Sequence, residues 1–249
     1  MNLKKELIVF DLDGTLNESK LPMDLEMGEL LTKLLEKKKV AVTSGKGFKL
    51  FEEQFLNSLK CQNSLLKNLF LFPTCSTSFY KFKDKWIPMY KETLTKEQKE
   101  KIFNAFNLTF NDLKYKHPEK TYGEIIEDRE TQITFSAFGQ LAPLELKQSW
   151  DQNQEKRLKI VNVLKNYIPE FEIRVAGTTS IDITKKGIDK AYGVKQIEKH
   201  LNIKRDQILF IGDALFEGGN DYPVKTLGID CIQVSGPKET KEIIKNLIK

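Results

Sequence analysis

The sequence predicts an α/β protein: a parallel-sheet core interrupted by an inserted α+β module. Three observations carry this. Short apolar runs alternate with helical periods in the first part of the chain, the pattern of covered βα units. Between residues 81 and 186 the alternation gives way to period-two patterning and a hairpin signal. It then resumes toward the C-terminus. The core is therefore expected over 1–80 and 187–249, and the insertion over 81–186.

Leu7, Ile8, Val9 and Phe10 form the first apolar run, which ends abruptly in Asp11-Leu12-Asp13-Gly14-Thr15. Leu25, Leu30, Leu31, Leu34 and Leu35 recur at helical spacing. Val40-Ala41-Val42 makes a second strand and ends in Thr43-Ser44-Gly45. Phe48, Phe51, Phe55, Leu56 and Leu59 mark a helix, and Leu69-Phe70-Leu71-Phe72 a third strand. In the insertion, 81–90 reads as a hairpin around Asp84-Lys85, and a helix holding Ile102, Phe103 and Phe106 begins near Thr95. Gln132-Ile133-Thr134-Phe135-Ser136 alternates like a strand; a helix over 151–167 precedes strands at 171–176 and 180–183. The core pattern returns with a helix through Tyr192, Ile197 and Leu201, strands at Ile208-Leu209-Phe210-Ile211 and Cys231-Ile232-Gln233-Val234, and a last helix from Pro237.

A chain of 249 residues with 40% hydrophobic content can bury a sizeable core. No apolar stretch approaches the ~20 residues that span a bilayer, so no membrane partner is expected. Lys5 and Glu6 lead directly into a strand, unlike a signal peptide. Cys61, Cys75 and Cys231 have no metal-ligand spacing and form no even set, which suits reduced thiols in the cytoplasm. The net charge of +5 reflects a lysine-rich surface. Nucleic-acid binding needs a concentrated patch or a recognisable module, and neither is present. Lys37-Lys38-Lys39 sits at a helix end, where cations favour the dipole. His117 and His200 have no ligand-like spacing.

Ligands of open α/β sheets bind at the carboxyl ends of strands. Asp11 and Asp13, one residue apart beside a turn glycine, suit a divalent metal and a phosphate there. Thr43-Ser44-Gly45, Lys190 at a helix start, and Gly212-Asp213 with Gly218-Gly219-Asn220-Asp221 follow in order. This ordered set resembles the haloacid dehalogenase superfamily of phosphotransfer enzymes. The resemblance implies a Rossmann-like core, a C2-type cap (subfamily IIB), Mg²⁺ as cofactor and a small phosphorylated metabolite as partner, in a monomer or homodimer. It makes Asp11 the nucleophile that forms an aspartyl-phosphate and Asp13 the acid and base. The metal ligands it implies are Asp11, the Asp13 carbonyl and Asp213, with Asn220 and Asp221 orienting ligands or binding through water. Ser44, with Thr43 as the second candidate, matches the hydroxyl that binds the transferring phosphate. Gly45 lets backbone N–H groups approach it, and Lys190 neutralises its charge.

Within the insertion the resemblance narrows. Ile126-Glu127-Asp128-Arg129, Ile133-Thr134-Phe135-Ser136-Ala137-Phe138-Gly139 and Gly177-Thr178-Thr179-Ser180-Ile181-Asp182 are similar to the cap of the eukaryotic-type phosphomannomutases. So is the doubled glycine before Asn220. In that family the cap holds the distal phosphate, which implies substrate contacts from Arg129, Gly177, Ser180 and Asp182. The arginine expected after the cap glycine is Gln140, which supplies no charge. Arg174, Lys147 and Lys185 are the cations available to compensate. Thr43-Ser44-Gly45-Lys46 also resembles the superfamily's phosphatases more than its mutases. A phosphatase needs one phosphate held and water admitted. Hydrolysis of a sugar phosphate is therefore the expectation, with mannose-6-phosphate/mannose-1-phosphate interconversion as the alternative.

Overall fold

In the computed structural model, which describes residues 5–18 and 21–249, the chain divides into two compact units. One comprises Met1–Lys91 with Ile188–Lys249, the other Glu92–Gly187.

The first unit carries a seven-stranded sheet. Its strands are β1 (Leu7–Asp11), β2 (Lys39–Thr43), β3 (Leu69–Phe72), β4 (Ser78–Lys83), β5 (Lys85–Lys91), β10 (Ile208–Gly212) and β11 (Asp230–Gln233). They lie in the order β11-β10-β1-β2-β3-β4-β5. β11 through β3 are parallel, while β4 and β5 are antiparallel to their neighbours. Both faces of β1, β3 and β10 are buried, so these strands read as unbroken apolar runs rather than alternating ones. Ile8, Phe10, Val40 and Val42 pack with Met27, Leu31 and Leu34 of α1 (Leu25–Lys37) and Ile244 of α10 (Pro237–Leu247). Leu7, Val9, Ala41 and Phe210 pack on the other face with Val194 and Ile197 of α8 (Lys190–Leu201). Asp24 caps α1 by accepting the Met27 N–H at 2.9 Å.

Shorter helical pieces complete this unit: α2 (Phe48–Gln54), α3 (Asn63–Leu66), α4 (Pro73–Ser76) and α9 (Tyr222–Lys225). The helix expected to run on to Leu59 stops at Phe55, whose φ of −125° leaves the helical region.

The second unit holds a four-stranded antiparallel sheet, β6-β7-β9-β8, from β6 (Ile126–Asp128), β7 (Ile133–Ser136), β8 (Phe171–Ala176) and β9 (Ser180–Lys185). Its helices are α5 (Lys96–Asp112), α6 (Leu144–Trp150) and α7 (Glu155–Tyr167). Ile133, Phe135, Ile181 and Ile183 point to Ile102 and Phe106 of α5 and to Ile160 and Leu164 of α7. Period-two alternation sends Thr134, Ser136, Ser180, Asp182 and Thr184 to the opposite face. α5 starts with a capping box in which Thr95 and Gln98 exchange side-chain and backbone hydrogen bonds.

One expectation is corrected. The 81–90 hairpin does form, turning at Asp84, but it extends the core sheet instead of opening the inserted module. Phe70 and Leu71 pair with Lys81 and Tyr80, so the first boundary lies between Lys91 and Glu92 rather than at residue 80.

Candidate active site

β1 ends on Asp11, directly beside Thr43 at the end of β2. β10 ends one residue before Asp213, and Asp189 caps α8 by accepting the Tyr192 N–H at 2.8 Å, which makes Lys190 the first helical residue. Four elements thus deliver their side chains to one edge of the sheet.

The Lys190 ammonium is buried and donates to Asp11 Oδ1 at 2.5 Å and to Asp221 Oδ1. Asp221, fully buried, also accepts the Ala214 N–H through Oδ2 at 3.1 Å. Oxygens of Asp11, Asp213 and Asp221 lie within 4.8 Å of one another. Burial drives the Asp11 carboxyl well above the usual carboxylate range; Lys190 opposes that shift, while Asp221 and Asp213 add to it. Asp213 is also raised, by burial first and by Asp221 second. Burial works against the Lys190 charge, yet Asp11 and Asp221 hold its pKa well above the ordinary lysine value.

Among the described residues, three carboxylates cluster against one buried ammonium. An all-oxygen donor set of this kind suits a hard divalent cation. Gly14 (φ +79°) turns the chain so closely past this cluster that a Cβ there would lie 2.5 Å from Asp213 Oδ2.

Asp13 is held apart from the three. Its Oδ1 accepts from Lys46 Nζ at 2.5 Å, and Lys46 also donates to Gln54. Ser44 is buried, and its Oγ accepts the Lys46 N–H at 3.1 Å. Thr43 is buried with its hydroxyl 3.3 Å from Ser76 Oγ, and Gly45 is half-buried. Asn220 is exposed. Lys46 was not singled out from sequence, although its place directly after Gly45 in the second motif was the available signal.

In the second unit the polar face of the sheet gathers several of the expected residues. Asp182 accepts from Thr134 Oγ1 at 2.8 Å, and burial raises its carboxyl pKa while Arg129 and Thr134 pull it down. Arg129 pairs with Glu127 at 2.6 Å. Gln140 donates to Ser136 Oγ at 2.9 Å, and Ser136 lies 3.0 Å from Ser180 Oγ. Gly177, at the β8–β9 turn, gives its carbonyl to Arg157 at 2.6 Å. Of the cations expected to compensate for Gln140, Lys147 reaches it, donating to its carbonyl at 2.5 Å from a buried position. Arg174 pairs with Glu172 at 3.2 Å, and Lys185 with Glu92 at 3.5 Å.

Comparison with known proteins agrees with this geometry. Residues 27–249 match the family model described as "Eukaryotic phosphomannomutase". A phosphomannomutase of Encephalitozoon cuniculi is 28% identical over 99% of this chain and 94% of its own length. One of Schizosaccharomyces pombe is 28% identical over 98% and 94%. Among solved structures, an IMP-bound Plasmodium falciparum IMP-nucleotidase covers 99% of this chain and 69% of its own, with a TM-score of 0.72 at 18% identity. The C-terminal domain of a Candida albicans trehalose-6-phosphate phosphatase covers 98% and 93%, with a TM-score of 0.63 at 16% identity. At such identities the structures establish the fold alone: an α/β core built on a mostly parallel sheet. No helix among the described residues is long and apolar enough to cross a membrane.

Proposed function

We propose, for a chain that belongs to the eukaryotic phosphomannomutase family, that it interconverts mannose-6-phosphate and mannose-1-phosphate through a sugar bisphosphate. The observation that carries this reading is the family match across both units, joined to a buried Asp11–Lys190–Asp221 cluster beside Asp213. The hydrolysis expected from sequence becomes the second reading. One observation favours it: Gln140 stands where a charged side chain is expected, and its amide is engaged with Ser136.

Asp11 attacks the phosphoryl group and holds it as an aspartyl-phosphate. Asp13 donates a proton to the departing oxygen and removes one from the acceptor hydroxyl. Lys46, paired with Asp13, keeps that carboxylate in place. Ser44 and the Gly45 backbone hold the transferring phosphate, with Thr43 behind them. Lys190 stabilises charge on Asp11 and on the phosphoryl oxygens. Asp11, Asp213 and the Asp13 carbonyl would hold Mg²⁺, which would supply charge neutralisation between the two anions. Asp221 orients Lys190 through Oδ1 and is itself fixed by the Ala214 N–H at Oδ2. In the second unit, Arg129, Gln140, Ser180 and Asp182 recognise the substrate's other end, and Gly177 allows close backbone approach. We place the reaction in the cytoplasm, whose reducing environment suits three dispersed cysteines.

The test follows both products at once, by ³¹P NMR on mannose-1-phosphate with catalytic sugar bisphosphate and Mg²⁺. Interconversion with little free phosphate is expected, and Asp11→Asn should abolish it. Phosphate release without interconversion would establish the hydrolase, and unchanged turnover in Asp11→Asn would remove the nucleophile from both readings.

A further inference from the structure

At the carboxyl edge of the core sheet, three consecutive non-glycine residues adopt left-handed backbone. Thr74, Cys75 and Ser76 have φ of 49°, 54° and 68°. Such conformations are strained for residues with a Cβ and persist where the surroundings over-determine them. Here the surroundings on one side are the phosphate-binding turn. Thr74 N–H donates to the Lys46 carbonyl and Cys75 N–H to the Ser44 carbonyl, each at 2.8 Å. Ser76 Oγ lies 3.3 Å from Thr43 Oγ1, and the Ser76 carbonyl accepts from Tyr90 Oη at 2.9 Å.

On the other side lies α8. Gly193 is three residues after Lys190, and a Cβ there would lie 2.3 Å from Ser76 Oγ and 2.8 Å from Ser76 Cβ. The next atom is a Phe72 ring carbon at 3.9 Å. The helix that carries Lys190 therefore rests directly on Ser76, with no room for a methyl group.

We propose that the strained segment Thr74–Ser76 is a spacer. It sets the distance between the turn Thr43–Lys46 and Lys190, and the Gly193–Ser76 contact is the stop against which α8 seats. Gly193 and Ser76 are positioning residues, and this role rests on the reading that Ser44 and Lys190 act on one phosphoryl group. Pushing α8 away moves Lys190 from Asp11 while leaving the substrate-recognising face of the other sheet unchanged. The loss should therefore fall on kcat rather than KM.

The experiment compares Gly193→Ala, Ser76→Gly and the double variant. Gly193→Ala should lower kcat by about 10²-fold, the scale of a misplacement near 1 Å, with KM nearly unchanged. The double variant should recover most of that loss, because removing the Ser76 side chain leaves nothing closer than 3.9 Å to the new methyl. A second readout is independent of turnover: amine labelling of Lys190, 3% exposed, followed by mass spectrometry. Lys190 should be protected in the wild type and in the double variant, and labelled in Gly193→Ala. Wild-type kcat with a protected Lys190 in Gly193→Ala, or a double variant no better than the single, would overturn the spacer. Should Gly193→Ala not fold, a folded double variant with a protected Lys190 supports the steric stop, and one that also fails to fold overturns it. A wild type without mannose phosphate turnover would overturn the functional reading alone, and the labelling would still decide the spacer.

Discussion

Lys190→Met tests the electrostatics of the site most directly. Methionine keeps an unbranched side chain, one heavy atom shorter, and removes its charge. Lys190 and its partners Asp11 and Asp221 are each at most 5% exposed in their side chains, so the variant strands two buried carboxylates beside Asp213. Removing one partner of a buried ion pair costs about 3–5 kcal/mol. For a chain of this size each kcal/mol moves Tm by about 2–4 °C, which gives a loss of roughly 6–20 °C.

The pH dependence has a definite sign. Asp11 titrates above its unfolded value in the native protein, and the loss of Lys190 raises it further. A carboxyl with a raised folded pKa contributes stability that is fully present below the unfolded pKa of about 3.9. That contribution is lost as pH rises through the folded pKa. The deficit of Lys190→Met should therefore be small near pH 4 and grow toward about pH 8, as the stranded Asp11 is forced to ionise. Lys190 itself, raised in the wild type, keeps its contribution until pH exceeds the unfolded lysine value of about 10.4. Thermal unfolding followed by circular dichroism in metal-free buffer reads this out. A deficit under about 2 °C at about pH 8, well below the expected range, or one that is equal at both ends, would refute the assignment.

Gly14→Ala places a methyl 2.5 Å from Asp213 Oδ2 at a left-handed position, so Asp213 must move. Metal titration of activity should show about 10- to 100-fold weaker Mg²⁺ dependence, as for lost ligand-orienting contacts, and an unchanged midpoint would remove Asp213 from the metal site. Arg129→Ala removes a guanidinium next to Asp182. It should raise KM for mannose phosphates about tenfold while leaving an aryl phosphate unaffected, on the scale of one charged hydrogen bond. Equal losses on both substrates would mark Arg129 as structural.

The parallel core was legible because burial on both faces writes itself as short apolar runs at β1, β3 and β10, and because the runs at β1, β2 and β10 lead into Asp11, Thr43 and Asp213. The capped start of α5 at Thr95 was legible for a local reason as well, since caps are read within four residues. The hairpin Ser78–Lys91 shows where locality fails. Its turn at Asp84 is local, but its sheet is decided by Phe70↔Lys81 and Leu71↔Tyr80, a pairing that no periodicity carries. Lys46 escaped notice for a related reason: a lysine in a lysine-rich chain reads as solvated until a carboxylate is placed against it. The left-handed run at 74–76 has neither glycine nor asparagine to announce it.

The sheet of the second unit carries Ile133, Phe135, Ile181 and Ile183 on one side and Thr134, Ser136, Ser180 and Asp182 on the other. Alternate positions along the same two strands therefore answer to different requirements. On the proposed function, substitutions on the polar side would bear on substrate selection, while those at 133, 135, 181 and 183 would bear on the hydrocarbon packing. In such a layout a change of substrate and a loss of hydrocarbon packing would arise at different positions, and Gln140, bonded to Ser136, belongs to the polar side.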